Sequence, residues 1–241
     1  EYDLIEYNDG QANLQVSSSV PNTIDTNTLA VELGDIDNDN DLDIIFGTDQ
    51  SSHIRVNQGG AQGGTIGQFA PGQTLATGHS SAIAVGDLDN DNDQDIVIAI
   101  NFGAAIQLWI NNGGTFQAGV TLPFEPGRSV TDIALGLLDE DNLSDIYIAT
   151  NGDDLIALNN GSGSFNQGQS LPTGNSQEVA LSDVDMDGDL DAVLAVWEYA
   201  FNGDQLWLNK NGNFTQTQIF PDSRSVSVAT GDIDNNTTPD L

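Results

Sequence analysis

The same acidic nonapeptide returns five times along this chain: DIDNDNDLD (35–43), DLDNDNDQD (87–95), LLDEDNLSD (137–145), DVDMDGDLD (183–191) and DIDNNTTPD (232–240). Their starts lie 52, 50, 46 and 49 residues apart. A fixed period near fifty residues requires one structural unit to be repeated, each copy burying its apolar face against the next. Carboxylates recur at loop positions 1, 3, 5 and 9. Hard oxygen donors at alternate positions of a tight loop are what a calcium ion requires.

Short apolar or alternating runs precede every loop: LAVELG, AIAVG, DIALG, EVALS and VSVATG. Four loops are followed by a second run, DIIFG, DIVIAI, DIYIAT or DAVLAV. These runs are rich in β-branched residues and bounded by Gly, Asn and Asp, which is the strand signature. A third run follows (HIRVNQG, IQLWINNGG, LIALNNGSG, DQLWLNKNG), and then a fourth containing Phe69, Phe116, Phe165 or Phe214. The Asn-Gly-rich turns between them tolerate the positive φ of tight hairpins. Each repeat therefore reads as a four-stranded antiparallel meander, and no sustained 3.6-residue period signals a helix. Radial repetition of such meanders gives a β-propeller. A β-helix or a leucine-rich repeat would use a much shorter period.

The expected fold is thus all-β, a single β-propeller domain over residues 1–241 with about five repeats. Residues 1–20 open on DLIEYNDG, which matches a third strand and its turn, and the C-terminus only enters a second strand. Two closures follow. In a closed five-bladed ring the C-terminal strands complete the blade begun by the N-terminal pair. Alternatively, five repeats' worth belong to a longer propeller of about seven blades.

Net charge is −33 with only four Lys plus Arg. Of 30 Asp, 21 lie inside the five loops, so the charge is a set of local clusters that must be neutralised. Five divalent ions would leave −23. That balance excludes nucleic acid as partner, whose binders present Lys and Arg to phosphates, and disfavours an anionic membrane surface. No apolar run approaches the ~18 residues of a membrane span. Apolar residues make up 38%, enough for a core, so the chain is not a disordered acidic tail. Without cysteine, a secreted protein must find stability elsewhere, and metal ions are one source. The chain begins at Glu1 without a signal peptide, as a processed protein or a fragment would. The Asn-x-Ser/Thr triplets at Asn160, Asn213 and Asn236 are expected by chance in so Asn-rich a chain.

An EF-hand also begins D-x-D-x-D, but it needs a bidentate Glu at position 12 and flanking helices. Position 12 here is Phe46, Ile98 or Leu194, each inside an expected strand. The pattern D-x-D-x-D-[G/N]-x-x-D followed by an apolar strand instead resembles the FG-GAP/VCBS repeats of integrin α-subunits and bacterial surface proteins, in the bacterial style. That resemblance covers the whole chain. It implies calcium held by side chains at positions 1, 3, 5 and 9 and by the carbonyl at position 7. Carried over, the first loop would use Asp35, Asp37, Asp39 and Asp43 with the Asp41 carbonyl. The second would use Asp87, Asp89, Asp91 and Asp95 with Asp93, and the fourth Asp183, Asp185, Asp187 and Asp191 with Asp189. Position 6 is Asn40, Asn92 or Gly188, residues that tolerate a left-handed turn. The third loop has Leu137 at position 1, which leaves Asp139, Asp141 and Asp145. The fifth keeps Asp232, Asp234 and Asp240, with Asn236 at position 5 and Thr237 at position 6. Weaker sites are expected at both, giving three strong calcium sites and up to five in all.

Catalytic material is scarce. There is no Cys, Lys210 is the only lysine, the two histidines are His53 and His79, and no nucleophile, zinc or phosphate-loop motif occurs. No enzymatic activity is expected. Two features mark a candidate ligand face opposite the acidic loops. Trp197, Tyr199 and Phe201 lie in the longest connection between a second and a third strand, where aromatics suit sugar stacking or a protein pocket. His79, Arg128 and Arg224 each fall eight or nine residues before a loop, at the mouth of the central channel. There they could hold an anion, or pair locally with acids such as Glu125 and Asp222.

The expected function is a calcium-stabilised, secreted or cell-surface propeller acting as a structural, adhesion or protein-interaction module. Its partner would be protein or carbohydrate on the face opposite the acidic loops. The alternatives are a lyase-like polysaccharide enzyme and a lectin. A lectin with one sugar site per blade would repeat its aromatics in every blade, whereas the aromatic cluster occurs once.

Overall fold

The computed structural model describes residues 2–8, 14–21, 27–59, 63–65, 67–101, 105–122, 128–197, 203–221 and 224–240, with side chains from residue 27 onward. The described residues form strands and turns without a helix, hence no helix long and apolar enough to cross a membrane. Strands β1 (Tyr2–Asn8) and β2 (Leu14–Pro21) pair as a two-stranded sheet. Four four-stranded antiparallel sheets follow in chain order. The first comprises β3 (Thr28–Gly34), β4 (Asp43–Thr48), β5 (Ser51–Asn57) and β6 (Phe69–Thr77). The second comprises β7 (His79–Gly86), β8 (Asp95–Asn101), β9 (Ala105–Asn111) and β10 (Phe116–Leu122). The third comprises β11 (Val130–Gly136), β12 (Asp145–Thr150), β13 (Asp154–Asn159) and β14 (Phe165–Leu171). The fourth comprises β15 (Ser176–Ser182), β16 (Asp191–Val196), β17 (Gly203–Lys210) and β18 (Asn213–Pro221). The meander expected from the sequence is the observed order of each.

Each sheet is a blade, and the core lies between blades. Ile45 and Ile54 of the first meet Ile83, Ile96 and Ile98 of the second. Val97 and Leu108 of the second meet Ile133, Ile146 and Ile148 of the third. Tyr147 and Ile156 of the third meet Val179, Leu194 and Trp207 of the fourth. The second strand of a blade is therefore buried on both faces, which is why DIVIAI, DIYIAT and DAVLAV read as continuous apolar runs rather than alternating ones. The first strands β3, β7, β11 and β15 lie side by side around a central cavity of about 290 Å³.

The expected count of five blades is corrected to four complete four-stranded sheets, and no closed ring is shown. Residues 224–230 form no strand, and the fifth acidic loop is closed only by the Gly231–Asp240 bridge. The physical sign of this incompleteness is Ile233. Val184 of the last complete blade is half-buried and Ile233 is 77% exposed, whereas their counterparts Ile36, Leu88 and Leu138 are 2%, 1% and 0% exposed. Those counterparts are covered by second and third strands of their own and the following blade, and no described strand performs this for Ile233.

Candidate metal centres in the acidic loops

The first four acidic loops join first strands to second strands, so these four sit at one end of the sheets. Their turns are built by carboxylates that accept backbone N–H groups. At position 1, Asp35 accepts from Asp39 N (2.9 Å) and Asn40 N (3.0 Å). Asp183 does the same for Asp187 N and Gly188 N, and Asp232 for Asn236 N and Thr237 N. Leu137 cannot do this in the third loop. Position 9 is a buried staple. Asp95 is fully buried and accepts from Leu88 N (2.8 Å) and from Asn111 N (2.8 Å), so one carboxylate ties loop position 2 to the end of the third strand. Asp43, Asp145 and Asp191 repeat this with Asn57, Asn159 and Asn209.

Two positions per full loop are left-handed. Position 6 is Asn40 (φ 70°), Asn92 (72°), Gly188 (100°) and Thr237 (75°). Position 4 is Asn38 (61°), Asn90 (64°), Met186 (62°) and Asn235 (61°), and the third loop lacks it. Sequence reading placed the first and missed the second, although Asn at position 4 of three loops was the available signal.

This backbone gathers side-chain oxygens within 4.8 Å of one another. The groups are Asp35, Asp37 and Asp39; Asp87, Asp89 and Asp95; Asp183, Asp185 and Asp191; and Asp232, Asp234 and Asp240. The third loop brings together no such group among the described residues, although Asp139, Asp141 and Asp145 are present. Burial, then the charges of Asp91 and Asp87, push the Asp89 carboxyl up. Burial, then Asp39 and Asp35, do the same to Asp37. Burial lifts Asp43, Asp95 and Asp145 to about 6, against the pull of their two N–H bonds. Asp89 Oδ1 and both carboxylate oxygens of Asp41 are buried without a hydrogen-bond partner. An all-oxygen set of crowded carboxylates with orphaned buried oxygens fits a hard divalent cation, which would supply the missing partner and reverse the upward shifts.

Neighbouring loops are tied together. Asn111 Nδ2 donates to Ile36 O of the preceding loop (2.7 Å), Asn159 Nδ2 to Leu88 O (2.8 Å) and Asn209 Nδ2 to Leu138 O (2.9 Å). Asn38 Nδ2 bonds Asp93 Oδ1 across the first two loops. These asparagines were not singled out from the sequence, though an Asn at or next to the end of each third strand was visible there. Lys210, also overlooked, pairs with Asp187 (2.9 Å) and Asp189 (3.7 Å), and its hydrogen bond holds the Asp187 carboxyl below its ordinary value.

The FG-GAP-like repeat model matches residues 35–98, 138–194 and 183–241, each match running through acidic loops of this geometry. The chain belongs to the FG-GAP-like repeat family. No curated protein matches it. Among solved structures, the FG-GAP-like chain is similar to a Lactobacillus plantarum protein (TM-score 0.68, 12% identity, 93% of this chain and 67% of that one). It is similar to an Agrocybe aegerita lectin that recognises non-reducing terminal N-acetylglucosamine (0.58, 18%, 91% and 61%). BBS1N, solved in complex with ARL6DN, is a third (0.52, 15%, 82% and 57%). The chain thus spans 57% to 67% of the length of these structures, and at such identities the likeness shows the propeller-like fold.

At the opposite end of these FG-GAP-like blades, Trp197 follows β16 and is 49% exposed. The Arg224 guanidinium lies over its ring, 5.7 Å from the centroid, so two residues far apart in the sequence meet here. Tyr199 and Phe201 lie outside the described residues. Arg128 turns to its own blade: Nη1 donates to Asp153 O (2.6 Å) and Nη2 pairs with Asp153 Oδ2 (3.2 Å). The local partner is thus Asp153, while Glu125 and Asp222 lie outside the described residues. His79 opens β7, half-buried, in register with Asn101. The cavity itself is lined by acids, Glu32, Asp132 and Glu178. Burial lifts Asp132 to about 6 while its Oδ2 accepts Val179 N (3.0 Å).

Proposed function

We propose that this chain is a calcium-stabilised propeller module, secreted or displayed on a cell surface, that binds a protein or glycan through the face opposite its acidic loops and has no enzymatic activity. The observation that carries the calcium reading is the repeated set of carboxylate oxygens within 4.8 Å, with Asp89 Oδ1 buried and unpartnered inside one of them. In the first, second and fourth loops the ligands would be the carboxylates at positions 1, 3, 5 and 9 with the carbonyls of Asp41, Asp93 and Asp189. The fifth loop would bind through Asp232, Asp234, Asn236 and Asp240. The third, without position 1 and without a gathered group, would be weakest. Extracellular calcium concentrations suit sites of this openness. Calorimetric titration of the metal-stripped chain with calcium tests the reading. At least three sites are expected, and no heat above dilution would overturn it.

The ligand face is proposed from the exposed Trp197 with Arg224 over it, a planar apolar surface beside a cation. Such a pair suits stacking on a sugar ring or anchoring in a protein pocket. A lectin reading gains support from the fold shared with the N-acetylglucosamine-specific lectin, whose identity to this chain is only 18%. Binding of the chain to an immobilised glycan panel, lost on Trp197→Ala, separates the glycan reading from the protein one.

A further inference from the structure

Each full acidic loop commits one oxygen of its position-5 carboxylate to its own backbone. Asp39 Oδ1 accepts Asp41 N (3.0 Å), Asp91 Oδ1 accepts Asp93 N (2.8 Å), and Asp187 Oδ1 accepts Asp189 N (3.1 Å). The oxygen left to ligate a metal from that position is Oδ2. In the fourth loop Asp187 Oδ2 lies 2.9 Å from Lys210 Nζ, and Asp189 Oδ2 at position 7 lies 3.7 Å from the same nitrogen. An ammonium group is thus bonded to the oxygen that the calcium reading assigns to the metal.

The backbone explains why a cation stands there and in none of the other three complete blades. β5, β9 and β13 end at Asn57, Asn111 and Asn159, and the next residues are Gln58, Asn112 and Asn160, all uncharged. β17 runs one residue further, to Lys210, which pairs with Asn213. Only Asn211 (φ 51°) and Gly212 (φ 76°) remain for the turn. Two consecutive positive φ values make a tight type I′ hairpin turn. Asn211 N donates to Asp189 Oδ2 (3.4 Å), and Asn213 Nδ2 donates to the Lys210 carbonyl (3.2 Å), so this turn is tied to the fourth loop. The Lys210 backbone is therefore fixed beside loop positions 5 and 7, while its side chain is 70% exposed and reachable from solvent.

Two electrostatic effects follow, and both act against metal binding. Without a metal, the ammonium offsets the repulsion among Asp185, Asp187 and Asp189 and stabilises the empty loop. With a metal, a monocation stands beside a dication and its bond to Asp187 is given up.

We propose that Lys210 is a built-in counter-ion of the fourth acidic loop, holding that loop in its metal-free form and lowering its calcium affinity, so that neutralising this one amine strengthens the site. The proposal rests on the calcium reading above and adds the residue that tunes one of its sites.

Hydrogen exchange followed against calcium concentration tests this loop by loop, with residues 87–98 as internal control for residues 183–196. Lys210→Gln should move the midpoint at 183–196 to about three- to tenfold lower calcium and leave that at 87–98 unchanged. In chelator the same variant should exchange faster at 183–196. Lys210→Arg keeps the charge and should retain the parent midpoint. In about 1 M salt, where the Debye length is about 3 Å, the Gln and parent midpoints should converge, which a merely structural role of the side chain would not produce. Lys210 is the only lysine, so acetylating the parent neutralises one side chain and should reproduce Lys210→Gln. A Gln midpoint equal to or above that of the parent, or a shift that survives high salt, would overturn the counter-ion and leave the calcium reading intact. No calcium response at either loop would overturn the calcium reading, and the counter-ion with it.

Discussion

The Ser176 hydroxyl, at the start of the fourth blade, donates a 2.8 Å hydrogen bond to Asp154 Oδ2 of the third. Asp154 also accepts from Thr150 N (2.8 Å) and Tyr147 OH (3.1 Å), and it is fully buried. Burial outweighs these bonds and lifts its carboxyl from 3.8 to about 7. Because the native state holds this proton more tightly than the unfolded chain, the contribution of Asp154 to stability is complete below about pH 4. It is lost as pH rises towards 7, and is flat above.

Asp154→Asn should therefore flatten the pH dependence of stability between pH 4 and 7. At 1.36 kcal/mol per pKa unit the ceiling of the effect is about 4 kcal/mol. At pH 8 the variant should melt at or above the parent, and at pH 5 it should gain nothing. Melting curves at saturating calcium across that range check this. A parallel pH profile for both proteins would show that Asp154 is not the titrating group.

Calcium should carry a large part of the stability. A ligand at a hundred times its dissociation constant adds about 2.7 kcal/mol per site, so three sites contribute roughly 8 kcal/mol. That is comparable to the whole stability of a typical domain. The melting temperature should fall steeply in excess chelator and recover on adding calcium, whereas indifference to chelation would count against a structural metal.

The loops should differ in strength. Asp89→Ala removes a carboxylate from a gathered group and should cost about 2–3 kcal/mol at saturating calcium. Asp139→Ala, in the loop without such a group, should cost less than about 1 kcal/mol. Chemical denaturation of the two variants ranks them, and equal losses would show the ligand-count argument to be wrong.

Met186 occupies a left-handed position, φ 62°, where other loops have Asn38, Asn90 and Asn235. Its side chain is 58% exposed, so no packing compensates. Met186→Asn should stabilise the protein by about 0.5–1 kcal/mol. A denaturation midpoint at or below that of the parent would show that this turn is unstrained.

Asn209 joins the third and fourth loops through Leu138 O and Leu190 O, and it is 3% exposed. Asn209→Ala leaves buried carbonyls without their donor and should cost about 1–3 kcal/mol. The same change should lower calcium affinity in the fourth loop, because the lost side chain also holds the Leu190 carbonyl beside Asp191. Titration calorimetry of the variant reads both.

The repeat, its four strands and the acid-bearing turns were fixed by local chemistry. Asp and Asn at alternate loop positions close a turn through their own backbone, and DIVIAI, β-branched and bounded by Asp and Asn, reads as a strand. Each of these facts lies within about fifty consecutive residues, so sequence order carries it. What joins distant residues was decided by tertiary structure. The cross-blade bonds of Asn111, Asn159 and Asn209, the Ser176–Asp154 and Ser225–Asp204 bonds and the meeting of Arg224 with Trp197 span one blade to the next, and no periodicity reveals which atoms face each other. Arg128 shows the same limit, since its position in the repeat suggested a channel mouth while its guanidinium bonds Asp153 beside it. Blade number belongs to this second class, because it depends on which surfaces cover Leu29, Val31 and Ile233, and that is a property of packing between units rather than of any one unit.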